Sequence, residues 1–224
     1  MARDAYRESL VDLRGEVRGM GEAVLGQLDD ALAALETRDE ALAAQVIDGD
    51  GAINERYLDI ESECVDLLAL QQPVASDLRF VAASFKVITD LERVGDLATN
   101  LGEYALGAER THLDAVDIAG IGDETREQVA AALDAYADGD ADAARRVAAR
   151  DDDVDALCQR ASERVVRDLI EREADTDAWT VERLMDDVSR VLLTIRDLER
   201  VGDHAVNVAA RTLYMVENDP DLIY

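Results

Sequence analysis

Apolar residues recur along this chain in threes and fours, over spans too long for strands, which is the period of one helical face. In residues 4–36 the stripe is Leu10, Leu13, Val17, Met20, Val24, Leu28, Leu32 and Leu35, which predicts one long amphipathic helix. Residues 37–39 are short and polar and suit a tight antiparallel connection. A second helix is expected over 40–69, with Leu42, Val46, Ile53, Tyr57, Ile60, Cys64 and Leu67 facing inward and Gly49 and Gly51 loosening its first third. Pro73, following Gln71 and Gln72, lacks the amide a continuing helix needs and ends it. Ser76 is the expected N-cap of a third helix that runs to 106 and carries Leu78, Val81, Phe85, Ile88 and Leu91. Residues 107–121 are mixed and contain glycine, as a linker would.

The second half repeats the plan. Helices are expected over 123–137, 141–172 and 179–216, with Asp138-Gly139-Asp140 as one turn and a loop at 173–177. The duplication is written in one stretch: DLERVGDLATN at 90–100 returns as DLERVGDHAVN at 197–207, 107 residues later. Aligning Ile53 with Val154 gives an offset of 101, so the second copy has six extra residues in its middle loop. The expected fold is all-α: two tandem up-down-up three-helix bundles related by internal duplication. The first repeat covers 1–106, the linker 107–121 and the second repeat 122–224.

Within the repeated stretch, helical geometry puts acids where apolar residues are expected. With Ile88 as origin, Glu92 lies at about 40° and Asp96 at about 80°, among Val81, Phe85 and Leu78. In the second copy Met185, Val188, Leu192 and Ile195 lead into Glu199 and Asp203 in the same way. The second helix of each repeat has a matching interruption, Asp50 and Asn54 in one and Asp151 and Asp155 in the other, again spaced i, i+4. Folding the first hairpin about Pro73 sets Asn54 opposite Glu92 and Asp50 opposite Asp96. Folding the second about Asp177 sets Asp155 opposite Glu199 and Asp151 opposite Asp203. Acids on a core-facing stripe cost several kcal/mol unless compensated. An all-oxygen acidic cluster suits a hard cation, Fe(III), Mn(II), Mg(II) or Ca(II), with Zn(II) also accommodated, either as one ion or as a bridged multinuclear cluster. The competing reading is a buried salt bridge made by Arg93 or Arg200. In either case these arginines are expected beside the carboxylates. Gly95 and Gly202 lie on the same face and leave room for a neighbouring helix or an ion cluster. Asn100 and Asn207, one turn later, are donors to a ligand or polar rim residues.

Composition narrows the chemistry. The formal charge is −28, with Lys86 the only lysine against twenty-two arginines. Such a chain repels phosphate backbones, so direct nucleic-acid binding is not expected, and a halophile-like acidic surface is. Cys64 and Cys158 are isolated and fall on apolar faces, as buried free thiols do. No signal peptide or run of 18 apolar residues is present, which points to a soluble cytoplasmic protein. His112 and His204 are the only histidines, and His204 is expected as an exposed helix residue. There is no nucleophile–base pair, phosphate loop or HExxH. A carboxylate-bridged dimetal hydrolase or oxidase is the enzyme alternative, but the Glu-x-x-His of such bundles is missing. A metal-free helical adaptor is the other alternative.

The doubled DLERVGD, the QQPVASDLRFV before its first copy and the VIDGDGAINERYLDIESECV before that resemble the PhoU family of phosphate-uptake regulators over essentially the whole chain. The resemblance implies two three-helix bundles with metal sites on E(D)xxxD motifs. These fall on Glu92/Asp96, Glu199/Asp203 and Asp151/Asp155, with Asp50/Asn54 as the equivalent first-repeat pair. It implies a negative regulator of phosphate uptake and signalling rather than an enzyme. The implied partners are a phosphate ABC transporter ATPase and a sensor histidine kinase, with contact to the membrane only through them. Phosphate itself and a second copy of the chain are further candidate partners.

Overall fold

The computed structural model describes residues 2–70, 74–106, 116–172 and 178–222, and for 2, 3, 70, 172 and 178–183 the backbone only. Among the described residues every regular element is a helix: α1 Ala2–Thr37, α2 Glu40–Leu70, α3 Ala75–Leu106, α4 Ile118–Asp138, α5 Ala141–Ala149, α6 Asp151–Arg172 and α7 Ala178–Glu217. The first bundle is α1, α2 and α3. The second is α4, the broken rod α5–α6, and α7. Pro73, His112 and the loop at 173–177 lie outside the described residues.

The stripes make the core. Leu13, Val17, Met20, Val24 and Leu28 of α1 and Val81, Val87, Ile88 and Leu91 of α3 have no exposed surface. Burial of such side chains, worth about 1.5–3 kcal/mol each, is what holds helices of this length in place. Both stripes have ragged ends: Leu78 and Met185, expected inside, are 47% and 48% exposed. They stand near the hairpin ends of α3 and α7, on a side of each helix that no neighbour covers, since Leu184 beside Met185 is buried.

The duplication extends to the turns. Arg38 and Gly139 follow α1 and α4 in the left-handed conformation, at φ 57° and 64°. The next residues, Asp39 and Asp140, then cap the following helices. Asp39 Oδ1 accepts from the amides of Ala41 and Leu42 at 3.0 and 3.1 Å, and Asp140 Oδ1 from Ala143 at 2.9 Å. Four expectations are corrected. α2 runs unbroken through Gly49 and Gly51, whereas the second repeat breaks at Arg150. There Asp151, Asp152 and Asp153 follow, and aspartates favour a helix start over a helix interior. α4 begins at Ile118, inside the expected linker, because Asp117 caps it through Gly120 N. Ser76 does not cap α3, which already includes Ala75; its hydroxyl bonds Asp77 Oδ1 at 3.3 Å.

The two bundles pack through α1 against α4 and α3 against α7. Their contacts are reciprocal, as across a two-fold axis. A Cβ on Gly21 would sit 2.5 Å from Leu133 Cδ2, and one on the equivalent Gly122 would sit 2.4 Å from Leu32 Cδ2, the leucine equivalent to Leu133. Each bundle thus inserts a leucine over the other's glycine.

Candidate metal centre

The repeated stretch lies mid-helix in α3 and α7 and does three separate jobs. Its apolar members, Leu91, Val94, Leu198 and Val201, are core. Its first and last residues lace the two bundles together. Asn100 Nδ2 donates to Asp197 Oδ2 at 3.2 Å, and Asn207 Nδ2 donates to Asp90 Oδ1 at 3.1 Å. Asp197 has no exposed surface and also accepts from Tyr104 at 2.9 Å and from Arg196 NH2 at 3.0 Å. Asp90 Oδ1 lies 2.9 Å from His204 Nδ1. Asn100 and Asn207 are therefore committed to the seam between the bundles. His204, expected exposed, is only 17% exposed at its side chain because Asp90 from the other bundle covers it.

The third job falls to the carboxylates. In the second repeat Asp151 and Asp155 from α6 and Glu199 and Asp203 from α7 form one electrostatic group. Burial raises the Glu199 pKa first, followed by the charges of Asp155, Asp203 and Asp151. Asp203 is raised by burial and then Asp155, against the opposing pull of His204 and Arg200. Asp151 is raised by burial and by Asp155, Asp203 and Asp152, while a hydrogen bond from Gln128 to its Oδ1 at 3.1 Å opposes the rise. Among the described residues no ion pair reaches any of these four carboxylates. Arg200, expected beside them, turns instead to Asp197 at 3.6 Å.

The first-repeat cluster is built from the matching positions but carries a cation of its own. Arg93 spans Glu92 at 3.5 Å and Asp96 at 3.1 Å. Asn54 Nδ2 donates to Asp50 Oδ2 at 2.7 Å, and Thr99 Oγ1 has its one proton between Gly95 O at 3.1 Å and Asp50 Oδ1 at 3.3 Å. Glu92 is raised by burial first and by Asp96 and Asp50, with Arg93 and His204 pulling it down. The salt bridge weighed against a cation thus forms in the first repeat and not among the described residues of the second.

One expectation is corrected for every acid. None lies in the core: Asp50, Asn54, Glu92, Asp96 and Asp151 are half-buried, while Asp155, Glu199 and Asp203 are exposed. An azimuth on the apolar stripe does not ensure burial, because the groove between the second and third helices of each bundle opens to solvent along one side. Among the described residues no three acidic, histidine or cysteine side chains are placed to hold a metal ion as they stand. What the second repeat offers is an all-oxygen set of side chains under mutual repulsion, offset at Asp203 by His204 and Arg200 and bridged by no ion pair among the described residues, and oxygen is the donor type a hard cation takes. Of the two uses expected for Gly95 and Gly202, room for a neighbouring helix or for an ion cluster, the structure shows the helix. A Cβ there would meet Ile53 Cγ2 at 3.3 Å and Val154 Cγ1 at 3.5 Å. Cys64 and Cys158 are buried free thiols, pushed up to about 12 chiefly by burial. Sequence reasoning missed Gln27, Gln128 and Thr99. The glutamines share the repeat offset, the one signal that singles them out.

The PhoU domain profile matches residues 17–105 and again 118–212. The chain belongs to the PhoU family. A PhoU relative from Pseudomonas putida, named phosphate-specific transport system accessory protein PhoU homolog, is 36% identical over 94% of this chain and 80% of its own length. A relative of the same name from Clostridium acetobutylicum is 32% identical over 96% of both chains. The crystal structure of PhoU from Pseudomonas aeruginosa superposes with a TM-score of 0.85 at 34% identity, covering 96% of this chain and all of that one. The all-helical, doubled architecture is thus that of known PhoU proteins. No helix among the described residues is long and apolar enough to cross a membrane.

Proposed function

We propose that this protein is a cation-binding accessory protein of phosphate uptake, acting as a negative regulator that docks on a phosphate ABC transporter ATPase or its sensor kinase. The accessory role follows from the names of its relatives. The cation rests on one observation: Asp151, Asp155, Glu199 and Asp203 gather along one groove, and no ion pair reaches them among the described residues. A cation there, Fe(III) foremost or Mn(II), Mg(II), Ca(II) or Zn(II), would neutralise the repulsion and tie α6 to α7. The side of that ion facing solvent would accept phosphate or an acidic group of a partner. The first-repeat site is the weaker of the two, because Arg93 already offsets part of its charge and Asn54 occupies Asp50 Oδ2.

Docking is supported by apolar positions left exposed at equivalent places in both repeats. Val65 and Leu78 in the first correspond to Val166 and Met185 in the second, all between 44% and 52% exposed. The Arg93 bridge favours a second reading, a metal-free adaptor, for the first repeat. The test is Glu199→Gln together with Asp203→Asn: bound metal measured by elemental analysis should fall. Unchanged metal content would remove the cation. Retained capture of the transporter ATPase by the metal-free variant would establish the adaptor alone.

A further inference from the structure

Each bundle holds one glutamine whose side chain reaches under the acidic groove. Gln27 of α1 and Gln128 of α4 stand at equivalent positions, and Gln128 has no exposed surface. Each amide donates to the carbonyl of an equivalent valine, Val46 at 3.1 Å and Val147 at 3.4 Å. The remaining donor points to the carboxylates. In the second repeat it reaches Asp151 Oδ1 directly at 3.1 Å. In the first it goes to Thr99 Oγ1 at 3.2 Å, whose hydroxyl lies 3.3 Å from Asp50 Oδ1. Val206 replaces Thr99 in the second repeat, so the hydroxyl relay is present in one copy and a direct bond in the other.

Both amide oxygens are buried without a hydrogen-bond partner. They press instead on the glycines of the repeated stretch. A Cβ at Gly95 would lie 3.3 Å from Gln27 Oε1, and one at Gly202 would lie 3.1 Å from Gln128 Oε1. Turning the Gln128 amide over would set its oxygen against two acceptors, and turning that of Gln27 would set it against Val46 O, so the surroundings favour the orientation seen. An unpaired buried carbonyl costs free energy. It recurs in both copies, together with the glycine that makes space for it.

We infer that Gln27 and Gln128 are positioning residues, fixing the first aspartate of each acidic cluster for cation binding. In the second repeat the bond holds Asp151 Oδ1, and Oδ2 has no hydrogen bond among the described residues, so it is the oxygen offered to an ion. In the first repeat Asn54 occupies Oδ2, and the relay to Oδ1 is the looser hold, because the Thr99 proton is also within reach of Gly95 O at 3.1 Å. This deepens the cation reading and rests on it.

The test is Mn(II) titration of the full chain, following free Mn(II) by its electron paramagnetic resonance signal, with the melting temperature of each metal-free variant. Gln128→Met keeps the volume and removes both donors. It should weaken the second-repeat site roughly 10–100-fold, as loss of a partner to a ligand does, with little change in melting. Adding Val206→Thr, which copies Thr99, should restore part of that affinity. Gly202→Ala, which displaces the amide without removing it, serves if Gln128→Met does not fold, and it should weaken the same site. Wild-type affinity in Gln128→Met, beside a site lost in Glu199→Gln/Asp203→Asn, overturns the positioning role and leaves the cation reading intact. Affinity that falls only in step with melting, without recovery through Val206→Thr, also overturns it. Absence of Mn(II) binding to the wild-type protein, or binding unchanged by Glu199→Gln/Asp203→Asn, overturns both.

Discussion

Replacing Asp197 by alanine should be among the most damaging single changes in this protein. Asp197 has no exposed surface, and it sits where α3 of one bundle meets α7 of the other. One oxygen accepts from Asn100 at 3.2 Å and Tyr104 at 2.9 Å. The other accepts from Arg196 at 3.0 Å, with Arg200 3.6 Å away. The guanidinium side chains are 57% and 46% exposed, regain water readily and contribute less than about 1 kcal/mol each. Asn100 and Tyr104 lose more, since a hydrogen bond to a charged group is worth about 1.5–3 kcal/mol. Together these give a cost of about 3–5 kcal/mol for Asp197→Ala, a large share of the ~5–15 kcal/mol that holds a typical fold. Urea unfolding followed by circular dichroism at fixed ionic strength measures it. A double-mutant cycle with Tyr104→Phe should show a coupling above about 1 kcal/mol. A cost below about 1 kcal/mol, or no coupling, would show that the seam does not depend on this aspartate.

Two further outcomes are expected. Arg38 adopts φ 57° where the equivalent turn uses Gly139, so Arg38→Gly should raise stability by about 0.5–1 kcal/mol, seen as a higher urea midpoint; a lower midpoint would contradict this. Glu92, Asp151, Glu199 and Asp203 have raised pKa values, so the metal-free native state holds more protons than the unfolded chain above the ordinary carboxylate range. Their contribution is therefore complete below that range and declines as pH rises through the folded-state values. Melting of the metal-free protein should drop between about pH 4.5 and neutrality, and less so in Glu199→Gln/Asp203→Asn. A melting temperature that climbs over this interval in both proteins would contradict it.

Much of the fold was legible in the residues. The doubling, the turn at Gly139 and most helix spans come from local rules, a 3.6-residue period and a recurring eleven-residue stretch, whereas the caps at Asp39, Asp117 and Asp140 and the break at Arg150 did not stand out. Pairing of α2 with α3, and of α6 with α7, followed from hairpin geometry, and the second-repeat carboxylates come within electrostatic reach of one another. The depth of those carboxylates was not legible. Azimuth on a helix says which way a residue points, and only the placement of the other helices says whether that direction ends in solvent or in protein. Asp155, Glu199 and Asp203 point into an open groove, whereas Asp197, which carried no apolar-stripe signal, is sealed by the other bundle. The same limit hid the exchange of Asn100 and Asn207 across the seam, the cover over His204, and the leucines seated on Gly21 and Gly122. Each joins residues about a hundred positions apart. Local sequence fixes the conformation of a helix, but contacts at that separation exist only once two bundles have docked.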